Sequence, residues 1–189
     1  MSVQKGVALF KTSYEALAGS VYLVADEAGV VPVIADILDQ IDRLSCVALV
    51  SATLQPALQA LCQARHVKLL CAPFPQETLP QLIDTAQVGI THAACAVAEA
   101  GAVVEVTTND EVRLVSTLPA AHICVLRAAD IVMTLEEAAP RLERIFASHP
   151  AGCAITFISG PSRTADIEMK LILGVHGPKA SHVIVVDAR

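Results

Sequence analysis

The chain has 189 residues, 54% of them apolar and only 17% charged, with a net charge of −6 at pH 7. That length suits one α/β domain spanning residues 1–189 with ample chain to bury a core, and so apolar a composition suits a sheet covered by helices on both faces. An acidic balance with no basic block and six aromatic residues argues against nucleic acid as a partner. No uninterrupted apolar run reaches the roughly 18 residues of a membrane span, and the run between Lys5 and Lys11 is too short for a secretory signal; the expected location is the cytoplasm.

In chain order, residues 1–18 read as a loosely patterned helix. Val21–Ala25 reads as a strand, and Val30–Ile41 as a helix with Pro32 in its first turn, where proline is tolerated. Cys46–Val50, Val67–Cys71 and Gln87–Thr91 read as strands, separated by helices at Ala57–Ala64 and Leu79–Thr85, with Pro73-Phe74-Pro75 forcing a loop. Strands and helices alternating at this spacing predict a largely parallel sheet. The rhythm then changes. His92–Ala100 reads as a helix. Val103–Thr107 and Glu111–Val115 read as hairpin strands joined by the turn formers Thr108-Asn109-Asp110, and Ala121–Leu126 as a third strand, so an antiparallel insertion is expected at the sheet edge. After a short strand at Ile131–Met133, Thr134 and Glu137 have capping-box spacing for a helix, which Pro140 must begin or kink.

The last third carries the most pointed signal. Ala154–Ile158 and His182–Val186 read as strands buried on both faces, and Ile167–Leu173 as a helix between them, ended by Gly174; together they predict a right-handed parallel βαβ unit. The turn after the first strand holds Ser162, Arg163 and Thr164 where a helix would start, a place that favours anions. The same residues equally suit simple capping, since Asp166 and Glu168 already put negative charge in the first turns.

The run Ile158-Ser-Gly-Pro-Ser-Arg-Thr-Ala-Asp-Ile-Glu168, followed by Leu173-Gly-Val-His-Gly-Pro178 and His182-Val-Ile-Val-Val-Asp187, resembles the signature of the LUD-domain family, to which bacterial lactate-utilisation proteins belong. Val88–Ala93, Ala98–Ala102 and Val115–Leu126 fit it as well, so the likeness covers roughly residues 85–187. The resemblance implies the fold of ribose-phosphate isomerases and CoA transferases: a doubly wound, mostly parallel sheet with a small antiparallel subsheet. It also implies partnership with iron–sulfur proteins that oxidise L-lactate to pyruvate. Longer members carry extra N-terminal helices, which this chain is expected to lack along with any function residing there.

Chemistry-bearing residues are sparse. Glu99, two before Gly101, is a candidate nucleophile or base, since CoA transferases of similar fold use a glutamate in a Glu-x-Gly context, although their motif itself is not spelled here. Its alternative is an exposed carboxylate before a helix-stopping glycine. Arg113 needs a carboxylate, from Glu105, Glu111 or a ligand. His176 and Gly177 are well placed to meet a ligand, because the glycines flanking the histidine allow close backbone approach. His92, His122 and His176 lack the HxH or HxxxH spacing of a metal site, and the six cysteines are scattered without a CxxC pair, so no metal, iron–sulfur cluster or other cofactor is expected on this chain. No GxGxxG follows a strand and no GxSxG is present, which leaves nicotinamide binding and a serine hydrolase unsupported.

Two functions compete. In the first, the chain is an accessory, non-redox component of lactate oxidation with a small-anion pocket formed by Ser162, Arg163, Thr164, His176, Gly177 and Arg113. In the second, it is a stand-alone enzyme acting on a phosphorylated or CoA-linked small molecule, with Glu99 as the catalytic carboxylate.

Overall fold

A computed structural model describes residues 3–42, 44–165, 171–173 and 176–187. Helix α1 (Val3–Ala16) leads into β1 (Ser20–Val24), α2 (Val30–Leu38), β2 (Cys46–Leu49), α3 (Gln55–Ala64), β3 (Lys68–Cys71), α4 (Leu79–Asp84) and β4 (Val88–His92). Then come β5 (Cys95–Val97), β6 (Ala102–Thr107), α5 (Glu111–Thr117), β7 (Ala121–Arg127), β8 (Ile131–Val132) and α6 (Leu135–Ala147). The chain closes with β9 (Ala154–Ile158), β10 (Arg163–Ala165), β11 (Leu171–Leu173) and β12 (Ala180–Val186).

Six strands in the order β1-β12-β7-β4-β2-β3 make one sheet, and every neighbouring pair in it is parallel. The α/β fold expected from the alternating pattern is therefore present. Its core strands are mainly apolar because both faces are covered, with Thr91, His122 and Ser181 as buried polar exceptions. On one face, α2 and α3 set Ile34, Ile37, Leu38 and Leu58 against Val47, Ile90, Ile123 and Ile184. On the other, Phe10 and Tyr14 of α1 pack with Cys124, Val183 and Val185 and with Ala96 and Val103 of a second, four-stranded sheet ordered β8-β5-β6-β9. Beyond them, α4 and α5 cover the β2–β3 side through Leu79, Ile83 and Val115.

Several expectations fail here, each for a tertiary reason. Glu111–Thr117 is a helix rather than the second arm of a hairpin, and within it Glu111 and Val115 are buried on one face. Residues 92–100 contain the end of β4 and then β5 instead of a helix. The small sheet is not an extension of the large one; it is separate, and packs against it. The βαβ unit of the last third is absent. β9 lies in the small sheet, antiparallel to β6, and β12 lies in the large one. The predicted helix at Ile167–Leu173 ends in a strand instead, because β11 pairs antiparallel with β10; residues 166–170 lie outside the described set. Thr134 does cap α6, accepting from the N–H of Glu137 at 3.3 Å, and Glu137 reaches back to the N–H of Met133 at 2.9 Å. Pro140 lies inside α6.

Candidate functional site

Helix α3 follows β2 on one face of the large sheet, whereas the chain leaving β4 crosses to the small sheet on the other. Connections diverging from neighbouring strands open a crevice at their carboxyl ends, the place where open α/β sheets hold ligands. A hollow of about 880 Å³ lies there. It is walled by the last residues of β4, β7 and β12 (His92, Arg127, Val186), by Glu27 beyond β1 and Thr53 beyond β2, and by Arg141 and Ile145 of α6. Its volume falls within the range of small-molecule sites, and Val30, Val31, Leu54 and Val125 add the apolar walls typical of them.

Two arginines of this hollow converge on Asp130. Arg127 Nε donates to its Oδ2 at 2.7 Å and Arg141 Nη2 to its Oδ1 at 2.8 Å, while Arg141 also reaches the Ala94 carbonyl at 2.5 Å. Burial pushes the Asp130 carboxyl up, but the two guanidinium bonds outweigh it and hold the pKa below the ordinary 3.8. Desolvation lowers the pKa of His92 below the ordinary imidazole value, opposed by the charge of Glu27, although the residue keeps an exposed edge.

A second polar cluster lies between the two sheets. Thr91 of β4 donates its hydroxyl to Glu105 of β6 and lies 2.7 Å from His122 Nε2; His122 Nε2 is 3.3 Å from Glu105 Oε1. Alongside, the Tyr14 hydroxyl meets Ser181 Oγ at 2.5 Å and takes a bond from the Gly160 backbone.

The residues singled out from the sequence are spread over the molecule. Ser162 and Gly177 do come together: a Cβ on Gly177, whose φ is +101°, would sit 3.4 Å from Ser162 Cβ. Ser162 N–H also bonds the Pro178 carbonyl at 3.0 Å. This turn follows β9 of the small sheet and so does not stand at the carboxyl ends of the large one. It lies by the amino ends of β7 and β12, where Lys179 N–H bonds the Ala120 carbonyl at 2.7 Å. Nor does it begin a helix, because Arg163 and Thr164 open β10; their side chains are outside the described set. His176 is exposed. Arg113 is on α5, paired at 2.5 Å with Asp110 rather than with Glu105 or Glu111; Glu111 instead accepts the Phe74 N–H at 2.9 Å. Glu99 accepts the N–H of Leu135 at 2.9 Å at the start of α6. Sequence reasoning passed over Arg127, Asp130 and Arg141. The available signal was charge at the end of an apolar strand, Arg127 closing β7, but their convergence is made by folding.

The family model described as the LUD domain matches residues 7–186. The chain belongs to the LUD domain family. Among curated relatives of this LUD domain, "Lactate utilization protein C" of Geobacillus sp. (strain WCH70) is 42% identical over 106 residues, 55% of this chain and 44% of that protein. The protein of the same name from Halalkalibacterium halodurans is 40% identical over 114 residues, 60% of this chain and 50% of that one. The LUD domain described here thus spans about half the length of the curated relatives it matches. A crystal structure of a DUF162 family protein from Deinococcus radiodurans superposes with a TM-score of 0.66 over 98% of this chain and 99% of that one, at 23% identity, which is a likeness of fold.

Proposed function

We propose that this LUD domain serves lactate utilisation as a non-redox component that binds a small carboxylate in the hollow at the carboxyl ends of the large sheet. The role is supported by the name its curated relatives share. Electron transfer then belongs to iron–sulfur partners, because the six cysteines of this chain are scattered without a CxxC pair. The binding rests on one observation: two guanidinium groups, Arg127 and Arg141, meet at a single carboxylate on the wall of the hollow, beside His92. Asp130 neutralises one of them, so a carboxylate ligand finds a planar donor fork there, and the His92 imidazole lines the same hollow as a partner for a hydroxyl or keto group. Glu27, the second negative charge of the hollow, disfavours anions elsewhere in it.

The size of the hollow favours a second reading, in which a phosphorylated or CoA-linked molecule binds, since about 880 Å³ far exceeds what a three-carbon acid fills. The turn holding Ser162, Arg163 and Gly177 is the competing place for the anion. One experiment separates these readings. Melting temperature is measured with L-lactate, pyruvate, inorganic phosphate and CoA in turn, for the wild type, Arg127→Ala and Arg163→Ala. A ligand of the folded state raises it by mass action. A shift with lactate or pyruvate that Arg127→Ala abolishes supports the first reading, and one with phosphate or CoA supports the second. Loss with Arg163→Ala alone moves the site to the turn, and no shift at millimolar ligand overturns all three. For the accessory role, the chain is expected to copurify with cysteine-rich iron–sulfur proteins from lactate-grown cells; capture of none of them sinks that part.

A further inference from the structure

The cluster between the sheets is left out of that reading, and its hydrogen bonds do not complete it. Glu105 and His122 are 2% and 1% exposed, yet among the described residues Glu105 Oε2 and His122 Nδ1 have no hydrogen-bonding partner. A buried carboxylate oxygen and a buried ring nitrogen left bare each cost free energy, and no protonation state of the pair cures both. With His122 neutral and Nε2–H directed at Thr91, Nδ1 is an unused lone pair; with His122 charged, Nδ1–H is an unused donor. Beside them, on the same face of β7 as His122, lies the Cys124 thiol, fully buried. One carboxylate oxygen of Glu105, one ring nitrogen of His122 and Sγ of Cys124 lie within 4.8 Å of one another.

We propose that Glu105, His122 and Cys124 form a binding site for a divalent metal ion of the zinc class. The donor set is one oxygen, one nitrogen and one sulfur; thiolate and imidazole favour zinc over the hard cations magnesium and calcium. Charge balances as well. Cys124 loses its thiol proton to solvent as the metal–sulfur bond forms, so thiolate plus carboxylate offset the two positive charges of the ion beside a neutral imidazole. A water, or the Thr91 hydroxyl, completes a tetrahedron. The donors come from different sheets, Glu105 from β6 and the other two from β7, so the ion pins the small sheet to the large one. Because the three side chains are enclosed, the metal enters during folding.

The test uses the whole chain, unfolded with chelator and reductant and refolded with equimolar Zn²⁺ or Co²⁺, then desalted. The expected result is one retained equivalent of zinc, a thiolate-to-cobalt charge-transfer band in the near ultraviolet, and a melting temperature several degrees above that of chain refolded without metal. Cys124→Ser should lose the band and Cys62→Ser, on α3, should keep it. If Cys124→Ser does not fold, the nearly isosteric Glu105→Gln is read instead and should retain less zinc. Substoichiometric zinc in the wild type, no cobalt band, or a band that survives Cys124→Ser or vanishes with Cys62→Ser overturns the site. None of these readouts depends on ligand binding in the hollow.

Discussion

Gly89, in the middle of β4, shows how one residue sets the spacing of a layer. A Cβ there would lie 1.8 Å from the carbonyl oxygen of Val115 and 3.1 Å from Pro119, so α5 rests directly on the β4 backbone. Backbone cannot swing aside as a side-chain tip can. Gly89→Ala is therefore expected to cost about 3 kcal/mol or more, the upper range of overpacking, read as a lowered urea midpoint with little change in slope. Gly160 makes the same demand at the signature turn: its φ is +87° and an added Cβ would meet the Leu17 carbonyl at 2.7 Å. These glycines are visible in the sequence, but what they approach is not. The same is true of Glu105. A carboxylate in the run Val103-Val-Glu-Val-Thr107 announces a buried charge, yet Thr91 lies 14 residues before it and His122 is 31 residues beyond Thr91, and Glu105 meets them only because the two sheets stack.

Among the elements, α5 is fixed by packing and α6 by its own capping residues. The stretch Glu111-Val-Arg-Leu-Val115 has a strand's alternation, but Glu111 and Val115 are also four apart, the helical repeat, and five residues cannot distinguish the two periods. Packing against β4 and the bond from Phe74 N–H to Glu111 decide for the helix. Helix α6 was legible at its start because capping is local: Thr134 and Glu137 satisfy N–H groups a few residues away. Glu99 is the long-range part of that start. Since its carboxylate accepts the Leu135 N–H, Glu99→Ala should lower stability by about 1 kcal/mol, as lost caps do. Should Glu99 be the catalytic carboxylate of the stand-alone-enzyme reading, Glu99→Gln would instead abolish turnover while retaining most of the stability. Measuring both on one preparation separates the roles.

For the molecule as a whole, burial of titratable groups fixes a pH window. His92 and His182 have pKa values lowered from 6.5, by desolvation first. Below about pH 6.5 the unfolded chain takes up protons there that the folded chain resists, so stability falls as pH falls. Cys46, Cys62 and Cys95 have pKa values raised from 9.0, again chiefly by burial. Above about pH 9 the unfolded chain sheds protons that the folded chain keeps, and stability falls as pH rises. Urea midpoints should therefore form a plateau between these limits. A midpoint that kept rising beyond pH 9 would contradict the burial of the three thiols.

Sequence by itself marked Cys46–Leu49 as a buried strand of a parallel sheet, because a strand covered on both faces is largely apolar. Ala121–Leu126 was legible as a strand but read as part of an antiparallel insertion, whereas it lies parallel between β12 and β4. Sequence also determined the family, through the run around Ser159–Thr164 and its continuation to Asp187. Only the tertiary structure decided which sheet each late strand joins: both read as strands buried on two faces, but β9 lies in the small sheet with Phe157 exposed, and β12 is buried in the large one. It decided, too, that Arg127 and Arg141 share Asp130, and that His122 and Cys124 face Glu105. Local free energies choose an element's conformation within a few residues; the meeting of distant charges depends on how two sheets stack, and no short window of sequence encodes that.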